Sequence, residues 1–105
     1  MDANALESMA RQSIYRMLAA VADQSPAIVT HVAIVGTDPD GLEIHLAYRD
    51  REQRLAARAS GHSERVRQLL LAALTELGYP SDRPTVSFVS VEEVDAQGGP
   101  SMYFK

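Results

Sequence analysis

The sequence predicts an α+β fold with an antiparallel sheet of about four to five strands and two helices packed on one face. Three stretches carry this prediction. Residues 63–77 repeat apolar side chains at helical spacing, residues 42–49 alternate apolar and polar side chains, and residues 85–91 are rich in β-branched side chains. The predicted order is α-β-β-(β)-α-β-(β), within one domain spanning residues 1–105.

Composition narrows the class of protein. The chain has 105 residues, a net charge of −4 and no cysteine, which excludes disulfides, thiolate zinc sites and a cysteine nucleophile. No apolar run approaches the roughly 20 residues that cross a bilayer, and the N-terminus lacks the pattern of a signal peptide. We therefore expect a cytoplasmic protein that has no cofactor and does not bind membranes.

The first half of the chain predicts a helix followed by a β-hairpin. Residues 4–22 keep helical periodicity, and Pro26 disfavours its continuation. Residues 27–35 and 42–49 form the predicted strands, with Pro39 and Gly41 in the turn between them. We assume a register with Ile34 opposite Ile44. It places Ile34, Val32, Thr30, Ile44, Leu46 and Tyr48 on the core face, and Val29, His31, Ala33, Val35, Glu43, His45, Ala47 and Arg49 on the other.

Residues 50–62 fit two interpretations. Their composition favours a helix, because the stretch contains strong helix formers and no β-branched residue. Gly61 and a serine cap at Ser63 instead indicate that a new element begins there. We favour a third strand over residues 53–60, with Leu55, Ala57 and Ala59 facing inward.

The second half predicts the main helix and one strand. We expect Ser63 to cap the helix and Gly78 to end it, with Pro80 preventing its continuation. A strand follows over residues 85–91. Residues 96–100 read as a turn, and residues 102–104 as a short last strand or part of a tail.

The first functional hypothesis is a non-catalytic protein–protein interaction module. It rests on the lack of catalytic motifs, the acidic charge and the acidic cluster Glu92, Glu93 and Asp95, which could bind a basic protein partner. Small inhibitors and immunity-type proteins that neutralise or escort a partner have this character.

The second hypothesis is RNA binding through the arginine-rich stretch between Arg49 and Arg67. The predicted order of helix, hairpin, third strand and helix resembles that of a double-stranded-RNA-binding domain, and this resemblance implies phosphate contacts at the start of the second helix. Lysine occurs only once, at position 105, which departs from the lysine-rich run of that family. The candidate residues are Arg54, Arg58, Arg65 and Arg67.

The third hypothesis is a small enzyme or metal-binding domain. In the assumed register, His31 and His45 lie on the same face of the hairpin, with Glu43 nearby, and this set could bind a metal or move protons. A slip of one residue would place the histidines on opposite faces. Separately, the apolar outer residues Val29, Ala33 and Val35 and the open sheet edges predict a homodimer.

Overall fold

The computed structural model describes residues 2–36, 38–81 and 83–99. These residues form an α+β domain with three strands, four α-helices and one short 3-10 helix. In chain order the elements are α1 (Ala3–Ala20), β1 (Ile28–Ile34), the 3-10 helix (Pro39–Gly41), β2 (Glu43–Tyr48), α2 (Arg51–Ser60), α3 (His62–Glu76), β3 (Thr85–Ser90) and α4 (Val91–Ala96).

The sheet is mixed, with the order β1-β2-β3. β1 and β2 form the predicted antiparallel hairpin, and β3 pairs with β2 in parallel. The prediction of a wholly antiparallel sheet of four to five strands is wrong for the described residues. The helices α2 and α3 return the chain to the starting end of β2, so the next strand runs parallel to it. The predicted strand at residues 102–104 lies outside the described residues.

The predicted third strand over residues 53–60 is wrong, because these residues form α2. The Asp50 carboxylate accepts a hydrogen bond from the Gln53 N–H at 2.8 Å and caps the helix. Gly61, at φ +83°, ends it. Of the three residues expected to face inward, only Ala57 is buried, while Leu55 and Ala59 are exposed. The element order of a double-stranded-RNA-binding domain is therefore not present.

The main helix, α3, begins two residues earlier than predicted, because its N-cap is Gly61 and not Ser63. Gly61 occupies the N-cap position and provides no side-chain cap. The expected cap at Ser63 is wrong, because its hydroxyl is buried and bonded to the Tyr48 hydroxyl at 3.1 Å. The predicted end is confirmed: Gly78 takes a positive φ of 83°, and its N–H donates to the Thr75 carbonyl.

The hairpin register differs by one residue from the assumed one. Ala33, rather than Ile34, lies opposite Ile44, and His31 lies opposite Leu46. An irregularity between Ile28 and Thr30 interrupts the pairing. As a result, Ala33 and Val35 contact the main core instead of facing outward, whereas Ile44, Leu46 and Tyr48 are buried as predicted.

The main core lies between one face of the sheet and the helices α1 and α3, which contact each other. Its fully buried members include Leu6, Ile14, Leu46, Leu70 and Leu74. On the opposite face, α4 forms a small second cluster in which Val94 packs with Ala47 and Val89. Helix α4 is not foreseen by the sequence pattern, which predicted a strand to residue 91 and a turn from residue 96. Among the described helices, none has the length and apolar character needed to span a bilayer.

Candidate functional site

The strongest candidate site is a groove between α2, α3 and β3, here called the arginine groove. Arg54 and Arg58 project into it from α2, and Arg67 projects from α3. The two α2 arginines are four residues apart and therefore lie on one helix face. Its lining residues are Arg54, Arg58, Ser63, Glu64, Arg67, Val86 and Phe88. Three of the four arginines proposed from the sequence thus meet in one place, whereas Arg65 lines a different cleft.

The floor of the groove is an edge strand. In the described part of the sheet, β3 pairs only with β2. The Thr85 N–H donates to the Leu42 carbonyl at 2.9 Å, so alternation directs the backbone N–H and C=O of Val86 and Phe88 away from β2. The side chains of both residues are half-buried against the main core. The groove therefore combines backbone hydrogen-bonding groups directed away from β2, apolar surface and arginine side chains.

Two arginines of the groove are paired with carboxylates. Arg54 donates two hydrogen bonds to Glu93, of 2.7 and 3.3 Å. Arg67 donates to Glu64, its neighbour on the same helix, at 3.1 and 3.2 Å. These bonds are the largest cause of the lowered pKa of each glutamate. Arg58 is exposed and has no ion-pair partner within residues 2–36, 38–81 and 83–99, so its charge is available to a ligand.

A buried polar cluster adjoins the groove. The Tyr48 ring stacks on Phe88, with centroids 6.1 Å apart. Its hydroxyl contacts His62 Nδ1 at 3.0 Å and Ser63 Oγ at 3.1 Å. His62 is 9% exposed, and burial is the main cause of its lowered pKa. The tyrosine lies between the histidine and the serine, so the cluster lacks the direct base–nucleophile contact of a hydrolase.

The acidic residues proposed as a protein-binding set have different roles in the structure. Glu93 is bound to Arg54 and also accepts a hydrogen bond from the Ser90 hydroxyl at 2.8 Å. Glu92 and Asp95 are exposed on α4. Two of the three carboxylates are therefore open to a partner, and the third holds α4 against α2.

The residues proposed as a metal site are divided between the two faces of the sheet. His31 faces α1, where its ring meets Tyr15 edge-on at a centroid distance of 5.9 Å. His45 lies on the other face with Glu43, and its Nδ1 contacts the Ser87 hydroxyl. No three His, Asp or Glu side chains of the described residues come together as a potential metal site.

Sequence reasoning found the arginines of the groove but missed its floor. Val86 and Phe88 are two residues apart within the strand predicted over residues 85–91, and this spacing is the one signal that they share a face. That β3 forms an edge beside α2 depends on the parallel crossover, which the sequence did not reveal.

Comparisons of the chain with protein-family models, with curated proteins and with solved structures found no match.

Proposed function

We propose that the protein is a non-catalytic interaction module that binds an extended, acidic segment of a partner protein along β3. The observation that carries the proposal is the coincidence of a sheet edge with the arginine groove. A peptide strand added to this edge would bond the outward N–H and C=O groups of Val86 and Phe88. Its alternate side chains would then meet the apolar floor and the arginines.

The charge of the groove supports an acidic partner. Within the groove, Arg58 is exposed and has no carboxylate partner among the described residues, so an acidic side chain could pair with it without breaking an existing ion pair. Among the described residues, Arg67 pairs with the exposed Glu64 of the same helix, and an exposed ion pair of this kind contributes little to stability. The acidic cluster Glu92, Glu93 and Asp95 predicted a basic partner. At the arginine groove the contact surface of the domain is basic, and the partner is therefore acidic.

The experiment is selection from a library of unstructured peptides, followed by affinity measurement on the enriched sequences. We expect enrichment of acidic sequences in which apolar residues alternate with acidic ones. Arg58→Glu should weaken their binding by about tenfold or more, because it replaces an attraction with a repulsion. Amide resonances of Val86 and Phe88 should shift on binding.

The matched control changes the other charged surface. The variant Glu92→Lys/Asp95→Lys carries a larger charge change but leaves the arginine groove intact, so its peptide affinity should remain close to that of the wild type. If this control loses binding while Arg58→Glu keeps it, the partner contacts the acidic α4 surface, and the proposal for β3 is wrong.

Single-stranded RNA is a second candidate for the same groove, favoured by the grouping of Arg54, Arg58 and Arg67 beside the ring of Phe88. Arginines and an aromatic face can hold a phosphate backbone and one base. A fluorescent oligonucleotide titrated at several salt concentrations tests this function. Binding with a steep salt dependence that Arg58→Glu flattens would favour RNA over peptide.

A further inference from the structure

A second cleft lies at the beginning of α3, apart from the arginine groove. It has a volume of about 320 Å³, and its walls come from the turn after α1, the end of α2 and the first turns of α3. Its lining residues are Gln24, Ser25, Ser60, Gly61, His62 and Arg65. Apart from Gly61, each of these residues has a side chain that can donate a hydrogen bond, although the Ser60 hydroxyl already donates to the Ala57 carbonyl, and the lining contains no carboxylate. This composition favours an anion.

The backbone at this cleft also favours an anion. α3 has 15 residues, and its N-cap residue Gly61 offers no side-chain acceptor to the N–H groups of the first turn. Ser63 cannot serve as one, because its hydroxyl is bonded to Tyr48. The His62 N–H already donates to Ser60 Oγ at 3.4 Å, so the Ser63 and Glu64 N–H groups are the first-turn donors left for a ligand among the described residues. The end of α2 is close by, but two of its last carbonyl groups already accept hydrogen bonds. The Ala57 carbonyl accepts from Ser60 Oγ, and the Arg58 carbonyl accepts from the Gly61 N–H.

His62 provides the second, independent observation. Its side chain lines the cleft, it is 9% exposed, and its Nδ1 is bonded to the Tyr48 hydroxyl. Its Nε2 is buried and has no hydrogen-bond partner among the residues that the structure describes. Buried polar atoms are nearly always partnered, so the unpaired ring nitrogen of a residue that lines this cleft points to a ligand that completes its hydrogen bonding.

We propose that this cleft binds the phosphate group of a small molecule, with the first-turn N–H groups of α3, the Arg65 guanidinium and His62 Nε2 as donors. When Tyr48 donates its hydroxyl proton to Nδ1, the ring N–H resides on Nε2, where it can donate to a phosphate oxygen. The positive end of the helix dipole and the arginine add to the attraction. No residue that lines this cleft also lines the arginine groove, although Ser63 and Glu64, whose N–H groups belong to the first turn, line that groove.

The test is an NMR titration of the ¹⁵N-labelled full chain with inorganic phosphate, at constant ionic strength maintained with chloride. We expect saturable shifts of the Ser63 and Glu64 amides and of the His62 Nε2 resonance. Arg65→Glu should weaken phosphate binding by about tenfold or more, since it replaces a charged donor with a like charge to the ligand. The side chain is exposed, so this variant should fold.

Two comparisons make the test specific. Arg51→Glu applies the same charge change at the opposite end of α2 and should leave phosphate affinity close to wild type. Ribose 5-phosphate should shift the same resonances, whereas ribose should not. Shifts that match those in chloride alone, binding of ribose equal to that of its phosphate, or undiminished affinity in Arg65→Glu would each overturn the proposal. Arg58→Glu should leave phosphate binding at this cleft unchanged. The result of the phosphate titration can therefore be distinguished from the result of the peptide experiment.

Discussion

At the scale of single residues, Tyr48 connects the core to both candidate sites. Its side chain is fully buried, its ring stacks on Phe88 in the floor of the arginine groove, and its hydroxyl contacts His62 and Ser63. Burial raises the pKa of this hydroxyl, although the Ser63 bond opposes the shift, so the group stays protonated at neutral pH. The Tyr48 hydroxyl oxygen is therefore the shared hydrogen-bond partner of two buried polar groups.

Tyr48→Phe should lower the free energy of unfolding by about 1–3 kcal/mol, because it leaves His62 Nδ1 and Ser63 Oγ without their shared partner. Urea denaturation measures the loss. Tyr79→Phe is the matched control: that hydroxyl donates only to the Pro39 carbonyl, so its removal should cost less. Equal losses in the free energy of unfolding would show that the Tyr48 hydroxyl contributes no more to stability than the Tyr79 hydroxyl.

Glu93 makes stability depend on pH. Its pKa is lowered, chiefly by the hydrogen bonds from Arg54 and next by that from Ser90. The pKa of Glu93 is lower in the folded chain than in the unfolded chain, where it is about 4.3. The ionised carboxylate therefore contributes its full stabilisation above that pH, and this stabilisation is lost as the pH falls through the folded-state pKa. Because both partners are partly exposed, we expect less than about 1 kcal/mol.

Glu93→Gln should therefore be less stable than wild type at pH 6, and the difference should shrink as the pH is lowered from about 4.3. Thermal unfolding across this range measures it, with Glu92→Gln as the control, since the neighbouring carboxylate is exposed. A constant difference between Glu93→Gln and wild type at all pH values would contradict the expected role of the charge.

At the scale of elements, Gly61 makes the sharp junction between α2 and α3. It ends one helix and begins the next with a single residue at φ +83°. A Cβ at this position would meet nothing within 4 Å, so the need for glycine comes from backbone conformation and not from crowding.

Gly61→Ala should destabilise the domain by about 1 kcal/mol, because an L-residue with a side chain is strained in the left-handed region. Gly61→Asn should recover part of this loss, since asparagine tolerates that conformation better. Chemical denaturation tests both variants. Gly41→Ala is the control, because its Cβ would also meet no atom within 4 Å and its φ is not in the left-handed range. A neutral Gly61→Ala would show that the junction can adopt another conformation.

Some elements could be predicted from their sequence patterns alone, and others could not. The periodicity of residues 63–77 and the clean alternation of β2 predicted both elements correctly. β1 reads Ile-Val-Thr-His-Val-Ala-Ile, with apolar residues on both faces, so its pattern does not specify which face is inward. That is why its register, and with it the shared face of His31 and His45, was predicted incorrectly. For α2, the predicted boundary at Gly61 is real, but it separates two helices, because helix propensity and the Asp50 cap make Arg51–Ser60 a helix instead of a strand.

At the scale of the whole molecule, the two faces of the sheet are covered unequally. α1 and α3 bury a large core on one face, whereas α4 contributes a small cluster on the other and has Val94 as its buried residue. An element with few buried contacts opens at a lower free energy than the domain as a whole.

We expect the amides of α4 to exchange with solvent at least about tenfold faster than those of α3, through local opening. Native-state hydrogen exchange measures this difference, with the Leu70 and Leu74 amides as the reference for global unfolding. Arg54→Ala should accelerate exchange in α4 further, since Arg54 holds Glu93. Protection of α4 equal to that of α3 would mean that the domain opens as one unit.

The whole-molecule arrangement was the least predictable part. The arginines of the groove lie within residues 54–67, and their clustering was visible in the sequence. Their position beside Val86 and Phe88 depends on β3 pairing in parallel with β2, and no local pattern in residues 85–91 distinguishes a parallel strand from an antiparallel one.

The parallel pairing of β3 has a consequence for how the chain acquires its structure. The β1–β2 hairpin joins neighbouring segments, but β3 cannot reach β2 until residues 49–84 have closed a long loop, most of it as helix. Contacts between distant segments slow folding, since the entropy of loop closure is lost before the contacts form. On a ribosome, the hairpin and the first three helices would emerge before β3. Until then β2 exposes an unpaired edge, so this nascent intermediate is the form of the protein most prone to aggregate.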